Sequence, residues 1–106
     1  MPALELLHTM IRVLDEERSL RFYGALGFAE RGRKRVGGDT ATIIFLGLPG
    51  DGDRLELTLN DGRTEPYEIG TAYGHVALAV SQLDAELARL AKDGIERFYI
   101  RNVVRR

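Results

Sequence analysis

Two stretches of this sequence, 67 residues apart, constrain its fold more than any other feature. Each carries a histidine in an apolar run, "LLHTMIRV" at residues 6–13 and "GHVALAV" at 74–80, and the chain has no other histidine. At the same offset Val13 aligns with Val80 and Gly27 with Gly94. Each run is followed by a polar segment with helical spacing. A chain of 106 residues has room for one compact domain, so the repeat divides it into two similar strand–helix units.

The remaining segments fill in an α+β order. Residues 5–13 alternate with period two, placing Leu7, Thr9, Ile11 and Val13 on one face and Leu6, His8, Met10 and Arg12 on the other. Asp15 then caps a helix with Glu16 and Glu17 in its first turn, Leu20 and Tyr23 on its apolar stripe, and Gly27 as its stop. "AERGRKRV" at 29–36 reads as an edge strand, and Gly37-Gly38-Asp39 as a turn. "TATIIFLGL" is an apolar strand and "PGDGD" a second turn. "RLELTLN" alternates again, with Leu55, Leu57 and Leu59 opposite Glu56, Thr58 and Asn60. Residues 61–74 lack periodicity and read as a linker. "HVALAV" forms a strand opening on His75, Ser81 caps a helix carrying Leu83, Leu87 and Leu90 that stops at Gly94, and "ERFYIRNVV" makes a last strand.

If the apolar strand faces pack under the helices, the opposite face carries His8, Met10, Arg12, Glu56, Thr58, Asn60 and His75. Two imidazoles and a carboxylate suit a borderline divalent metal such as zinc, nickel, cobalt or iron. Each residue also has a bland reading, a hydrogen-bonded strand histidine or a solvated glutamate. Their convergence on one face at repeat-related positions favours the metal. A net charge of −1 gives no bulk attraction to nucleic acid or anionic membrane, and the basic end "IRNVVRR" reads as a solvated terminus. No apolar stretch approaches the ~20 residues of a membrane span. Glu5 and His8 interrupt any signal-peptide core. With no cysteine there are neither disulfides nor thiolate sites, and the expected location is cytoplasmic.

At these residues a family resemblance enters. "LLHTMIRV", "FYGALGF", "LELTLN" and "YEIGTAYGHVALAV" together resemble the glyoxalase I (lactoylglutathione lyase) family of the vicinal-oxygen-chelate superfamily, in its short bacterial form. The likeness runs from about Leu6 to about Gly94. It implies paired βαβββ modules within a single glyoxalase-like domain spanning 1–106: a first module over about 5–60, a linker over 61–74 and an incomplete second module over 75–106. It implies a homodimer with shared active sites and one divalent metal ion per site (Ni, Co or Zn). It assigns His8, Glu56 and His75 as metal ligands, and Arg12 and Asn60 as substrate-binding residues for the γ-glutamyl end of glutathione, the co-substrate. The implied reaction converts the methylglyoxal–glutathione hemithioacetal to S-lactoylglutathione, with a late metal-site glutamate as the family's principal base; on this chain Glu56 is the only carboxylate on the deduced metal face and is the expected catalytic residue.

The family pattern also has a late glutamate, which the repeat spacing would put near position 123. No segment here matches it, and Glu96, the one acidic residue after Asp93, does not fit the motif. The expectation is therefore a truncated second module and turnover slower by about two to four orders of magnitude, the usual cost of a lost base. Two other readings compete: a non-catalytic relative that binds a small molecule or metal, and a dioxygenase with a two-histidine, one-carboxylate iron site. The "GTAYGH" stretch favours lyase ancestry over both, while the missing base favours the binding reading for this chain.

Overall fold

The computed structural model describes residues 3–95 and 103–105. Two compact units divide between Tyr67 and Glu68, inside the segment read as a linker.

The first unit runs β1 (Thr9–Arg12), α1 (Glu16–Leu26), β2 (Ala29–Val36), β3 (Ala41–Gly47), β4 (Leu55–Asn60), the expected βαβββ order. Its sheet has the strand order β1-β4-β3-β2, with β1 parallel to β4 and the other neighbours antiparallel. The helix begins where Asp15 accepts a hydrogen bond from the backbone N–H of Arg18 at 3.0 Å, satisfying one donor that the first turn leaves free. It ends where Gly27 adopts φ 109° and Phe28 N–H reaches back to the Tyr23 carbonyl at 3.0 Å. Only glycine enters that left-handed region cheaply.

The core explains the alternation. Ile44, Leu46, Leu55 and Leu57 form a buried cluster, and Ile11, Val13, Leu20, Tyr23, Phe28 and Leu59 pack against it. Strand residues of one parity thus meet the stripe of α1. Burying a side chain the size of Leu57 stabilises by about 1.5–3 kcal/mol relative to leaving it exposed.

Strand β1 is shorter than the alternation suggested. Pairing begins with Thr9 opposite Leu55, the first residue of β4, so the residues before Thr9 find no partner there. Leu7, expected on the core face, is consequently 64% exposed. Strand β2 is the expected edge, and a register shift between Glu30 and Gly32 interrupts its pairing with β3. Its arginines are tied down on its own unit. Arg33 binds Glu30 and Glu16, and Arg35 binds Asp39, Thr42 and Asp61. The Arg35 guanidinium beside Asp61 holds that carboxyl below the usual carboxylate range.

Arg31 fixes the turn after β3. It donates to the carbonyls of Leu48 at 2.8 Å and Asp51 at 3.2 Å, and to the Asp53 carboxylate at 3.3 Å. Gly47 leaves the space this needs, because a Cβ there would lie 2.8 Å from the Gly52 carbonyl oxygen and 3.0 Å from the Arg31 guanidinium carbon.

The second unit runs β5 (Leu78–Val80), α2 (Leu83–Lys92), β6 (Val103–Arg105), with β5 parallel to β6. The helix stop repeats that of α1: Gly94 has φ 79°, and Ile95 N–H donates to the Leu90 carbonyl at 2.9 Å. Leu90 and Ile95 are buried.

Three expectations shift here. Gln82, not Ser81, precedes the first helical turn, since Glu86 N–H bonds to the Gln82 carbonyl, and the Gln82 side chain makes no capping bond. The strand expected from His75 begins at Leu78. The β5–β6 register pairs Leu78 with Val103, so the residues that would face 75–77 lie outside the described set. The last strand, expected over 96–104, is seen at Val103–Arg105, and its earlier part also falls outside the described residues, as does Glu96.

Candidate metal and substrate site

The face of the first sheet that turns away from α1 is fixed by register. Glu56 pairs with Met10 on one side and with Phe45 on the other. Arg12 and Ile43 flank Thr58, and Ala41 lies opposite Asn60. Met10, Arg12, Glu56, Thr58 and Asn60 therefore share one surface, as the alternation predicted.

His8 sits one residue ahead of β1 and reaches Glu56. Its Nε2 lies 3.3 Å from Glu56 Oε1, and the two side chains are 36% and 13% exposed. The imidazole is held edge-on against the Phe45 ring, with centroids 5.6 Å apart at 70°. Phe45 was not singled out from the sequence, where it belongs to a uniformly apolar run. The other oxygen of Glu56 accepts a hydrogen bond from the Thr58 hydroxyl at 3.3 Å. Thr58 is the buried polar residue of this face, at 7% exposure. A hydroxyl bound to Oε2 and an aromatic edge against the imidazole leave Oε1 and Nε2 facing one another.

That pair suits a divalent ion. Protein–metal bonds of about 2.0–2.2 Å to nitrogen and oxygen would span a 3.3 Å donor separation at an angle of roughly 100°, close to tetrahedral. Zinc accepts both donor types, the borderline imidazole nitrogen and the harder carboxylate oxygen. His75 belongs to the second unit, three residues ahead of β5. Among the described residues no three histidine, aspartate or glutamate side chains gather into a metal-holding group, so the structure brings together His8 and Glu56 of the three expected ligands.

Arg12 is exposed at the end of β1 and makes no ion pair among the described residues. Asn60 closes β4. Its side-chain oxygen accepts from the Tyr67 hydroxyl at 3.0 Å. Tyr67 in turn lies under the Arg63 guanidinium, whose carbon is 4.2 Å from the ring centroid. Tyr67 opens one of the family-like stretches but was given no role from the sequence, because it lies where there is no periodicity. An isolated aromatic within seven residues of a strand-end asparagine was the available signal.

Comparisons with known proteins converge on one superfamily. The sequence profile of the Glyoxalase/Bleomycin resistance protein/Dioxygenase superfamily matches residues 5–97. The lactoylglutathione lyase of Neisseria meningitidis serogroup A is 39% identical over 94 residues, covering 86% of this chain and 67% of that protein. That of Haemophilus influenzae is 38% identical over 95 residues, covering 86% and 69%. Among solved structures, the trypanothione-dependent glyoxalase I of Leishmania major superposes with a TM-score of 0.76 at 38% identity, over 87% of this chain and 68% of that one. Glyoxalase I of Zea mays gives 0.72 at 38% identity, over 86% of this chain and 33% of the longer plant protein. This chain thus spans about two thirds of the bacterial relatives it matches.

Proposed function

We propose that this chain, which belongs to the Glyoxalase/Bleomycin resistance protein/Dioxygenase superfamily, is a metal-dependent glyoxalase I-type lyase that isomerises the hemithioacetal of methylglyoxal and glutathione to S-lactoylglutathione. The observation that carries this reading is the His8–Glu56 pair at 3.3 Å, set on the sheet face that also presents Arg12 and Asn60. Similarity to proteins named lactoylglutathione lyase supports the choice of reaction.

In this reading His8, Glu56 and His75 hold one divalent ion, nickel, cobalt or zinc. When bound, the ion supplies Lewis acidity toward the two adjacent oxygens of the substrate. The remaining work falls to the chain's own residues. Arg12 clamps the γ-glutamyl carboxylate, a task suited to the planar guanidinium fork, and Asn60 donates to the same end. Glu56 removes the proton from the carbon bearing sulfur and returns it to the neighbouring carbon. The hydroxyl proton on the first carbon's oxygen passes to the oxygen of the second, so oxidation of the first carbon to the thioester balances reduction of the second to the alcohol and no outside reductant is needed. Thr58 donates to Oε2 and so fixes the orientation of the Glu56 carboxylate.

Metal titration tests the reading. His8→Ala and His75→Ala should each weaken binding of nickel or zinc at least tenfold, and unchanged affinity and stoichiometry in both would overturn it. Hemithioacetal turnover on the same preparation separates a lyase from a relative that binds without reacting.

We also place the protein in the cytoplasm as a homodimer with shared sites. Supporting the pairing, Leu4, Leu6 and Leu7 on the segment leading into β1 are largely exposed. A compact monomer by light scattering at micromolar concentration would remove this part of the reading.

A further inference from the structure

The loop after β4 contains a short relay that ends on a proposed substrate-binding residue. Arg63 donates from Nε to the Glu65 carbonyl at 2.6 Å and from Nη2 to the Pro66 carbonyl at 3.1 Å. The same guanidinium covers the Tyr67 ring at 4.2 Å. One side chain therefore fixes both the backbone path of 65–66 and the plane of the phenol that follows. That phenol donates to Asn60 Oδ1 at 3.0 Å.

A carboxamide has one acceptor end and one donor end, and an unconstrained asparagine presents either. With the phenol on Oδ1, the acceptor is engaged. The NH2 group has no hydrogen-bond partner among the described residues. Asn60 lies on the same sheet face as Arg12 and at the end of the strand beside it, so its unengaged donors are placed where a guanidinium also stands.

We propose that Tyr67 is a positioning residue. Held by Arg63, it selects the carboxamide orientation in which Asn60 can only donate, and so tunes this site toward the carboxylate end of a γ-glutamyl ligand. The inference rests on the proposed role of Asn60 in holding glutathione. It goes beyond that role by assigning the selectivity to two loop residues that need not touch the ligand. Losing Tyr67 would free the carboxamide to turn its oxygen toward the ligand, which repels a carboxylate. The loss should appear in binding of the γ-glutamyl end and not elsewhere.

The test uses glutathione itself and cysteinylglycine, which lacks the γ-glutamyl group, as calorimetric probes of the 106-residue chain. Tyr67→Phe keeps the ring and its contact with Arg63 but removes the hydroxyl. It should weaken glutathione about 2- to 10-fold, the usual span for one hydrogen bond, and leave cysteinylglycine unchanged. Arg63→Met should weaken glutathione in the same direction. In an Asn60→Ala background, Tyr67→Phe should cost nothing more. The proposal is overturned if Tyr67→Phe leaves glutathione affinity intact, if both probes weaken alike, or if the loss persists without Asn60. Should Asn60→Ala itself leave glutathione binding unaltered, the underlying assignment of Asn60 fails first and takes this inference with it. Circular dichroism of each variant confirms that the fold is retained.

Discussion

The helices α1 and α2 end alike and begin differently. Each ends on a glycine with positive φ, followed by an apolar residue whose N–H returns five residues to a helix carbonyl: Phe28 to Tyr23 and Ile95 to Leu90. All three positions keep the spacing of the repeat. At the other end, Asp15 accepts from the Arg18 backbone while Gln82 caps nothing. The sheets beside them diverge further, four strands against two among the described residues. A helix stop is written in about six consecutive residues and survives wherever they do. A sheet needs partners far along the chain, so its extent belongs to the unit and not to the motif.

The largest expected contrast lies in the cores. Leu57 is fully buried in a cluster drawn from three strands and a helix, so Leu57→Ala should cost about 3–5 kcal/mol. Leu90→Ala should cost less, toward about 2 kcal/mol, because fewer elements surround it among the described residues. Urea unfolding of both variants measures the difference, and equal costs would break the contrast.

The helix stops should instead respond together. Gly27→Ala and Gly94→Ala each force a Cβ into the left-handed region, at about 1–2 kcal/mol. The two losses should agree within a few tenths, since a Cβ at Gly27 meets only ordinary contact with Leu48 at 3.5 Å and one at Gly94 meets open space. Thermal melts that separated them clearly would show that the stops are alike in shape but not in energy.

The smallest effect concerns the helix starts. Asp15→Ala should cost about 1 kcal/mol and Gln82→Ala close to nothing, whereas Gln82→Asp should recover about 1 kcal/mol by supplying the missing cap. If Gln82→Asp brings no gain, the second helix start is limited by something other than its cap.

What the sequence made legible follows the same division. Gly27, Gly94 and Asp15 act within one turn, so their roles could be read directly. The leucines of β4 revealed its faces, and those faces put Glu56 beside His8. Strand ends were less legible because they are set by the partner: β1 waits for Leu55, and His75 lies ahead of the paired residues of β5. Contacts across loops escaped altogether. Nothing local to Arg35 points to Asp61, 26 residues away, and nothing in "GRTEPYEIG" orders Tyr67 onto Asn60.

The edge strand β2 carries one more consequence, for how the protein behaves in a crowded solution. An exposed strand is a template on which a second chain can zip, the first step toward aggregates. Here the register shift after Glu30 breaks the even row of donors and acceptors. The stretch "RGRKR" sets four cations along the same five residues, and the arginines at 33 and 35 are already committed to carboxylates of their own unit. A second copy arriving with the same edge would meet like charge, a mismatched ladder and no free acid to pair with. Self-association along this strand is thereby discouraged, and the opposite side of the sheet keeps its chemistry without exposing the fold to runaway polymerisation.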